Sequence, residues 1–138
     1  MIFIDTGAFL GRYLQKDQYH EDAITGWQRL GKINARLFTS NFILDESLTL
    51  LGRRANYGFA AERARKIYSS EALTVLRPMY EDEMDAVDLF EKYGDQRVSL
   101  TDCVSFVLMR NAKIKRAFTF DRHFQLAGFE MWPARSLS

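Results

Sequence analysis

A chain of 138 residues, 47% hydrophobic and 27% charged, has the size and balance of one ordinary domain, which excludes a disordered or low-complexity protein. Its single cysteine, Cys103, excludes an internal disulfide framework, so a cytosolic location is the expectation. Nineteen basic against eighteen acidic residues give a formal charge of +1, too little to argue by itself for a polyanionic partner.

Ile2-Phe3-Ile4 is a continuous apolar run of β-branched and aromatic residues, the pattern of a strand buried on both faces. It is stopped by Asp5 with no basic leader or cleavage pattern, so no signal peptide is expected. Phe9, Leu10, Tyr13 and Leu14 fall at helical spacing over residues 6–14, and Ala23, Ile24, Trp27 and Leu30 repeat the signal over 20–30. Leu37-Phe38-Thr39 predicts a second strand, followed by a helix over 41–54 with Ser40 or Asn41 available as N-cap. Residues 59–68 continue in helical register, and Leu73-Thr74-Val75-Leu76 before Pro78 reads as a third strand. A helix over 81–93 sets Met84, Val87, Leu89 and Phe90 among acids, with Gly94 as its C-terminal stop. An apolar helix over 101–111, a fourth strand over 117–120 and a short fifth at 129–131 follow. No apolar run approaches the ~20 residues of a membrane-spanning helix, so a soluble protein with no membrane partner is expected. The alternation predicts an α/β fold: a mostly parallel four- to five-stranded sheet flanked by helices on both faces, as one domain over residues 1–138.

Charge is distributed in blocks. Six Lys/Arg stand against two Glu over residues 52–77, two against eight acids over 78–102, and five against one Asp over 103–123. Neutralising four carboxylates would leave a net charge of +5, which suits a polyanion approaching an acidic centre.

Four acids are candidates for that centre. Asp5 and Asp121 each follow a predicted strand directly, and in open parallel sheets active sites form beyond the carboxyl ends of strands. Either could instead cap the next helix. Glu46 shares a helix face with Phe42, Ile43 and Leu50, and a carboxylate buried there needs a counter-charge, a metal or a raised pKa. Its neighbour Asp45 lies on a more polar face and is assigned to the surface. Asp102, in Ser99-Leu100-Thr101-Asp102-Cys103, falls in the first turn of a helix capped by Ser or Thr, where the dipole also favours an acid. An all-oxygen site suits Mg²⁺ or Mn²⁺ rather than structural zinc. Such ions lower the pKa of a water and stabilise a leaving 3′ oxygen, which points to phosphodiester hydrolysis.

The chain resembles the PIN-domain ribonucleases, in particular the VapC-type toxins of toxin–antitoxin pairs. The likeness is carried by Ile2-Phe3-Ile4-Asp5-Thr6-Gly7-Ala8, Glu46 within a helix, Ser99-Leu100-Thr101-Asp102-Cys103 and Ala117-Phe118-Thr119-Phe120-Asp121-Arg122-His123-Phe124, in the family's order over almost the whole chain. The resemblance implies endoribonuclease activity on RNA with Mg²⁺ or Mn²⁺ at Asp5, Glu46, Asp102 and Asp121, and inhibition by a cognate antitoxin. Asp5 and Asp102 look like the principal ligands; Glu46 and Asp121 look like supporting ligands or orienters of the attacking water. Thr6 and Thr119 resemble hydroxyl positions that hold these carboxylates by hydrogen bonds.

Arg53, Arg54 and Arg122 are candidates for phosphate contacts. His123 is expected to pack between Phe120 and Phe124 rather than act in catalysis, and Trp27 and Trp132 to fill core or interface positions. The aromatic load of the first helices, with the resemblance, suggests a homodimer. Two other functions compete. A Mg²⁺-dependent phosphotransfer or phosphatase domain also places Asp after a strand, but the second Asp two residues beyond Asp5 is missing. A non-catalytic interaction module could keep the fold while using its acids as caps.

Overall fold

A computed structural model describes residues 1–134. It contains β1 (Ile2–Ile4), α1 (Thr6–Tyr13), α2 (His20–Lys32), β2 (Leu37–Ser40), α3 (Asn41–Arg54), α4 (Tyr57–Ser69), β3 (Leu73–Leu76) and α5 (Tyr80–Lys92). A 3-10 turn (Gly94–Gln96), α6 (Leu100–Asn111), β4 (Arg116–Phe118), α7 (His123–Leu126) and β5 (Glu130–Trp132) complete it. The end of the expected domain, residues 135–138, lies outside the described residues.

The five strands are all parallel, in the order β3-β2-β1-β4-β5. β1 is central, and all three of its residues are fully buried, which requires cover on both faces. Two packed groups of helices supply it: α1 rests against α2 and α3 and α3 against α4, while α5 packs on α6 and α6 on α7. The chain builds outward from β1 through β2 to β3, then crosses to β4 on the other side of β1. The carboxyl ends of β1 and β4 therefore flank the point where the strand order reverses, the position at which such sheets form their clefts.

Local chemistry sets the element ends. Ser40 caps α3, its hydroxyl accepting the Ile43 N–H at 3.1 Å, and Asn56 caps α4 by accepting the Phe59 N–H at 2.7 Å. That cap starts α4 two residues before the expected position. The fourth strand is shorter than expected: it ends at Phe118, and Thr119 and Phe120 leave the ladder. Asp121 thus sits on a loop, three residues past the strand. Trp132 is buried and Trp27 half-buried against the core: Trp27 donates to the Ala8 carbonyl at 2.9 Å, and Trp132 packs on Phe118 with ring centroids 5.3 Å apart. Phe118 also closes on α2 at Gly26, where a Cβ would stand 2.5 Å from its ring.

Candidate active site

An open cleft of about 380 Å³ lies above the switch point. Asp5, Glu46, Asp102 and Asp121 all line it, with Thr6, Ser99, Tyr19, Phe120, Arg97 and His123 among their neighbours. Each acid arrives on a different element. Asp5 is the N-cap residue of α1, yet its side chain makes no cap hydrogen bond, so the capping alternative fails for it. Its backbone N–H donates to the Phe118 carbonyl at 3.0 Å, continuing the β1–β4 ladder by one step. Asp102 enters in the first turn of α6, where the Ser99 hydroxyl accepts its N–H at 3.0 Å.

Thr119 ties the two strand ends together. Its hydroxyl donates to Asp5 Oδ2 at 2.7 Å and accepts the Asp121 N–H at 3.0 Å, so one side chain holds the Asp5 carboxylate and anchors the Asp121 backbone. Beyond the strand end at Phe118, the Thr119 side chain and the Asp121 amide bond within the cleft. The Thr6 hydroxyl does not share the expected role. It is buried with no hydrogen-bond partner, although the Thr6 backbone N–H supports the Asp5 carboxylate. Removing the Thr119 hydroxyl in Thr119→Val is expected to weaken divalent-ion binding by about 10–100-fold, with Thr119→Ser close to wild type, as measured by calorimetric titration.

The expected surroundings of Glu46 need correction. Its side chain is exposed: Glu46 and Leu50 line the cleft, whereas Ile43 is fully buried and Phe42 packs against the core. No burial penalty argues for Glu46; its position beside Asp5 and Asp102 does, since its charge raises the pKa of both. Asp45 is exposed and absent from the cleft, as expected.

Burial and mutual repulsion make the two inner acids reluctant to ionise. Burial lifts the Asp102 carboxyl from the usual 3.8 up to about 9, helped by a hydrogen bond shared with Asp121 and by the charges of Asp5, Asp121 and Glu46. Burial also raises Asp5 to about 6, opposed by the Thr119 hydroxyl and the Thr6 N–H and reinforced by Asp121 and Glu46.

His123 departs from the packing expectation. Phe124 is fully buried, whereas the His123 ring turns to the cleft, with Nδ1 3.2 Å from Asp121 Oδ1 and 3.7 Å from Asp102 Oδ2. Phe120 also faces the cleft, its ring stacked on Tyr19 at 4.5 Å and 5° from parallel. Arg97, held at φ 56°, lines the same space, while Arg53, Arg54 and Arg122 are exposed and lie outside the lining. No sequence spacing singles out Arg97 or Tyr19.

The donor set fits a hard divalent cation. It is oxygen-rich, and burial together with the charges of neighbouring acids holds the carboxyls of Asp102 and Asp5 above their ordinary range.

A five-stranded all-parallel sheet flanked by helices, with an acidic cleft at its switch point, defines the class: a Rossmann-like α/β/α domain. The PIN domain model matches residues 2–130. The chain is 32% identical over 129 residues to a Mycobacterium tuberculosis protein named 23S rRNA-specific endonuclease VapC20, covering 94% of this chain and 95% of that one. It is 34% identical over 135 residues to a VapC ribonuclease of Archaeoglobus fulgidus, covering 94% and 83% respectively. The crystal structure of M. tuberculosis VapC20, described as a sarcin-ricin loop cleaving toxin, matches with a TM-score of 0.84 at 30% identity, covering 94% of this chain and 96% of that chain. FitAcB of Neisseria gonorrhoeae matches at a TM-score of 0.70 and 12% identity over 95% and 96%, a likeness of fold alone. The chain belongs to the PIN-domain family and is a ribonuclease of its VapC type. The phosphotransfer alternative is not favoured.

Proposed function

We propose that this protein hydrolyses RNA phosphodiester bonds with Mg²⁺ or Mn²⁺ held by Asp5, Asp102, Glu46 and Asp121, as the cytoplasmic toxin of a toxin–antitoxin pair. One observation carries the proposal: four carboxylates from four segments share one cleft in which two are pushed far above their ordinary pKa. Folding that gathers unpaired acids in this way is unfavourable unless a cation is gathered with them.

When bound, the ion supplies an activated water, a polarised phosphoryl oxygen and stabilisation of the leaving 3′ oxygen. Asp5 and Asp102 hold it from the buried side of the cleft. Thr119 fixes the angle of Asp5 through its 2.7 Å hydrogen bond, and Asp121, its backbone anchored on the same hydroxyl and its carboxylate accepting the His123 N–H, would orient the attacking water. The stacked Tyr19 and Phe120 form an apolar wall on which a base can lie.

Arg97 is the cleft's permanently charged cation and the best-placed phosphate contact. Arg97→Ala is expected to weaken RNA binding about uniformly across sequences and to reduce the slope of log affinity against log salt by about 0.7, read by fluorescence anisotropy. Arg53, Arg54 and Arg122, outside the lining, would extend the path of the backbone.

The relative named for 23S rRNA makes a sarcin-ricin-type stem–loop the first substrate to test. Cleavage of that RNA is expected with Mg²⁺ or Mn²⁺, and its loss with EDTA and in Asp5→Asn and Asp102→Asn. Cleavage that survives both EDTA and the substitutions excludes the mechanism.

A cognate antitoxin completes the pair. For the homodimer the supporting surface moves: Trp27 and Tyr13 pack on Phe9, Phe118 and Phe59 within the protomer, whereas α5 exposes Tyr80, Met84, Val87 and Phe90. Sedimentation as a dimer at micromolar concentration is expected. No helix among the described residues is long and apolar enough to cross a membrane.

A further inference from the structure

We propose that His123 is itself a ligand of the cation in this cleft, its Nδ1 joining Asp102 and Asp121 in a mixed nitrogen and oxygen face that favours Mn²⁺ over Mg²⁺. This rests on the metal-dependent reading above and adds to it a donor of a different chemical kind.

The geometry selects this trio. Nδ1 of His123 lies 3.2 Å from Asp121 Oδ1 and 3.7 Å from Asp102 Oδ2, and one ligand atom from each residue falls within 4.8 Å of the others. Among the described residues no other three His, Cys, Asp or Glu side chains come together so closely. Asp5 and Glu46 share the cleft but not this trio, Asp5 being drawn toward Thr119. Two ligands at right angles around an ion at about 2.1 Å stand about 3.0 Å apart. The observed spacings are therefore near those of adjacent ligands before any ion draws them together.

Preorganisation supports the same role. The His123 backbone N–H donates to Asp121 Oδ1 at 2.9 Å, so one short loop sets both the carboxylate and the ring. A histidine needed only as a counter-charge requires one carboxylate, and this ring faces two. The hydroxyl of Thr6, in the wall of the same cleft, belongs to a residue only 8% exposed and has no partner within the protein. An imidazole nitrogen is a softer donor than a carboxylate oxygen. It contributes little to Mg²⁺ and more to first-row transition ions such as Mn²⁺.

Pulsed electron paramagnetic resonance of the intact wild-type chain loaded with Mn²⁺ tests this without relying on activity. The expected spectrum shows bound Mn²⁺ coupled to ¹⁴N, and the coupling changes to that of ¹⁵N when the histidines are ¹⁵N-labelled. The chain has two histidines, and Nδ1 of the other, His20, lies 2.7 Å from the Gly11 carbonyl oxygen. In His123→Asn the coupling is expected to vanish and the preference for Mn²⁺ over Mg²⁺ in direct titration to fall at least about tenfold. Bound Mn²⁺ with no nitrogen coupling in the wild type, or coupling that persists in His123→Asn, overturns the role of His123 and leaves the four-carboxylate site standing. Failure of the wild type to bind Mn²⁺ at all overturns the metal-dependent reading and this inference with it.

Discussion

Asp102→Asn is expected to raise the melting temperature of the metal-free protein at about pH 8 while lowering RNA cleavage by more than about a hundredfold. The two effects share one cause. Asp102 is only 9% exposed and faces Asp5, Asp121 and Glu46, so its carboxyl is lifted to about 9. At that pH the unfolded chain carries an ionised aspartate and the folded chain must either bind a proton or hold a buried charge. Asn has the same shape and carries no charge, so it removes the penalty. The opposing loss, the favourable contact of an acid with the first turn of α6, is worth only about 0.3–1 kcal/mol. The net gain is expected to be about 3 °C or more in a thermal melt followed by circular dichroism. Activity is expected to move the other way, because the amide is a poor ligand for a divalent ion where the carboxylate is proposed as a principal one. Substitution of outer-shell partners alone costs about 10–100-fold, and a direct ligand costs more. A variant both less stable and fully active would contradict this assignment.

The metal-free protein should also lose stability as pH rises, the reverse of most proteins with paired carboxylates. Asp5 and Asp102 have folded-state pKa values of about 6 and about 9 against an ordinary 3.8. Below 3.8 both acids are protonated whether the chain is folded or unfolded, and the stability they confer is fully present. Above that value the folded chain retains protons that the unfolded chain has released. Stability is then lost progressively, through about 6 for Asp5 and up to about 9 for Asp102. A divalent ion replaces those protons, so its stabilising effect should grow over the same window. Thermal melts at about pH 5 and about pH 8.5, each with EDTA or with Mn²⁺, measure this directly. The gap between the metal-free and metal-loaded curves is expected to widen at the higher pH. A constant gap would mean that the inner acids are already ionised without metal.

Much of this arrangement is legible in the sequence because its signals are local. The run Ile2-Phe3-Ile4 ending at Asp5 announces a central buried strand with an acid at its carboxyl end, and Ser99 before Asp102 announces a capped helix carrying that acid into the site. The errors arise where tertiary contacts override local pattern. Phe120 and Thr119 have strand-forming side chains, but the chain leaves the sheet after Phe118, the Thr119 hydroxyl bonding the Asp5 carboxylate and the Asp121 amide and the Phe120 ring stacking on Tyr19. Glu46 keeps apolar neighbours on its helix, yet only Ile43 is fully buried and Glu46 with Leu50 borders the open cleft, so periodicity misjudged its solvent. His123 lies between two aromatic residues in sequence that diverge in space: Phe124 enters the core and Phe120 stacks on Tyr19 in the wall of the cleft. Thr6 and Thr119 look equivalent as threonines beside acids, and only the fold shows that one hydroxyl bonds and the other does not. Arg97 reaches the cleft through a left-handed backbone at φ 56°, a conformation that no pattern of charges foretells.

The proposed chemistry, attack by water on an RNA phosphodiester with departure of the 3′ oxygen, leaves a mark on its products. Cleavage of an RNA stem–loop in ¹⁸O-labelled water, with Mn²⁺ or Mg²⁺ present and the fragments resolved by mass spectrometry, reads that mark. The expected fragments end in a 3′-hydroxyl and in a 5′-phosphate carrying one ¹⁸O. Fragments ending in a 2′,3′-cyclic phosphate, formed without solvent oxygen, would contradict hydrolysis at the four-carboxylate cleft.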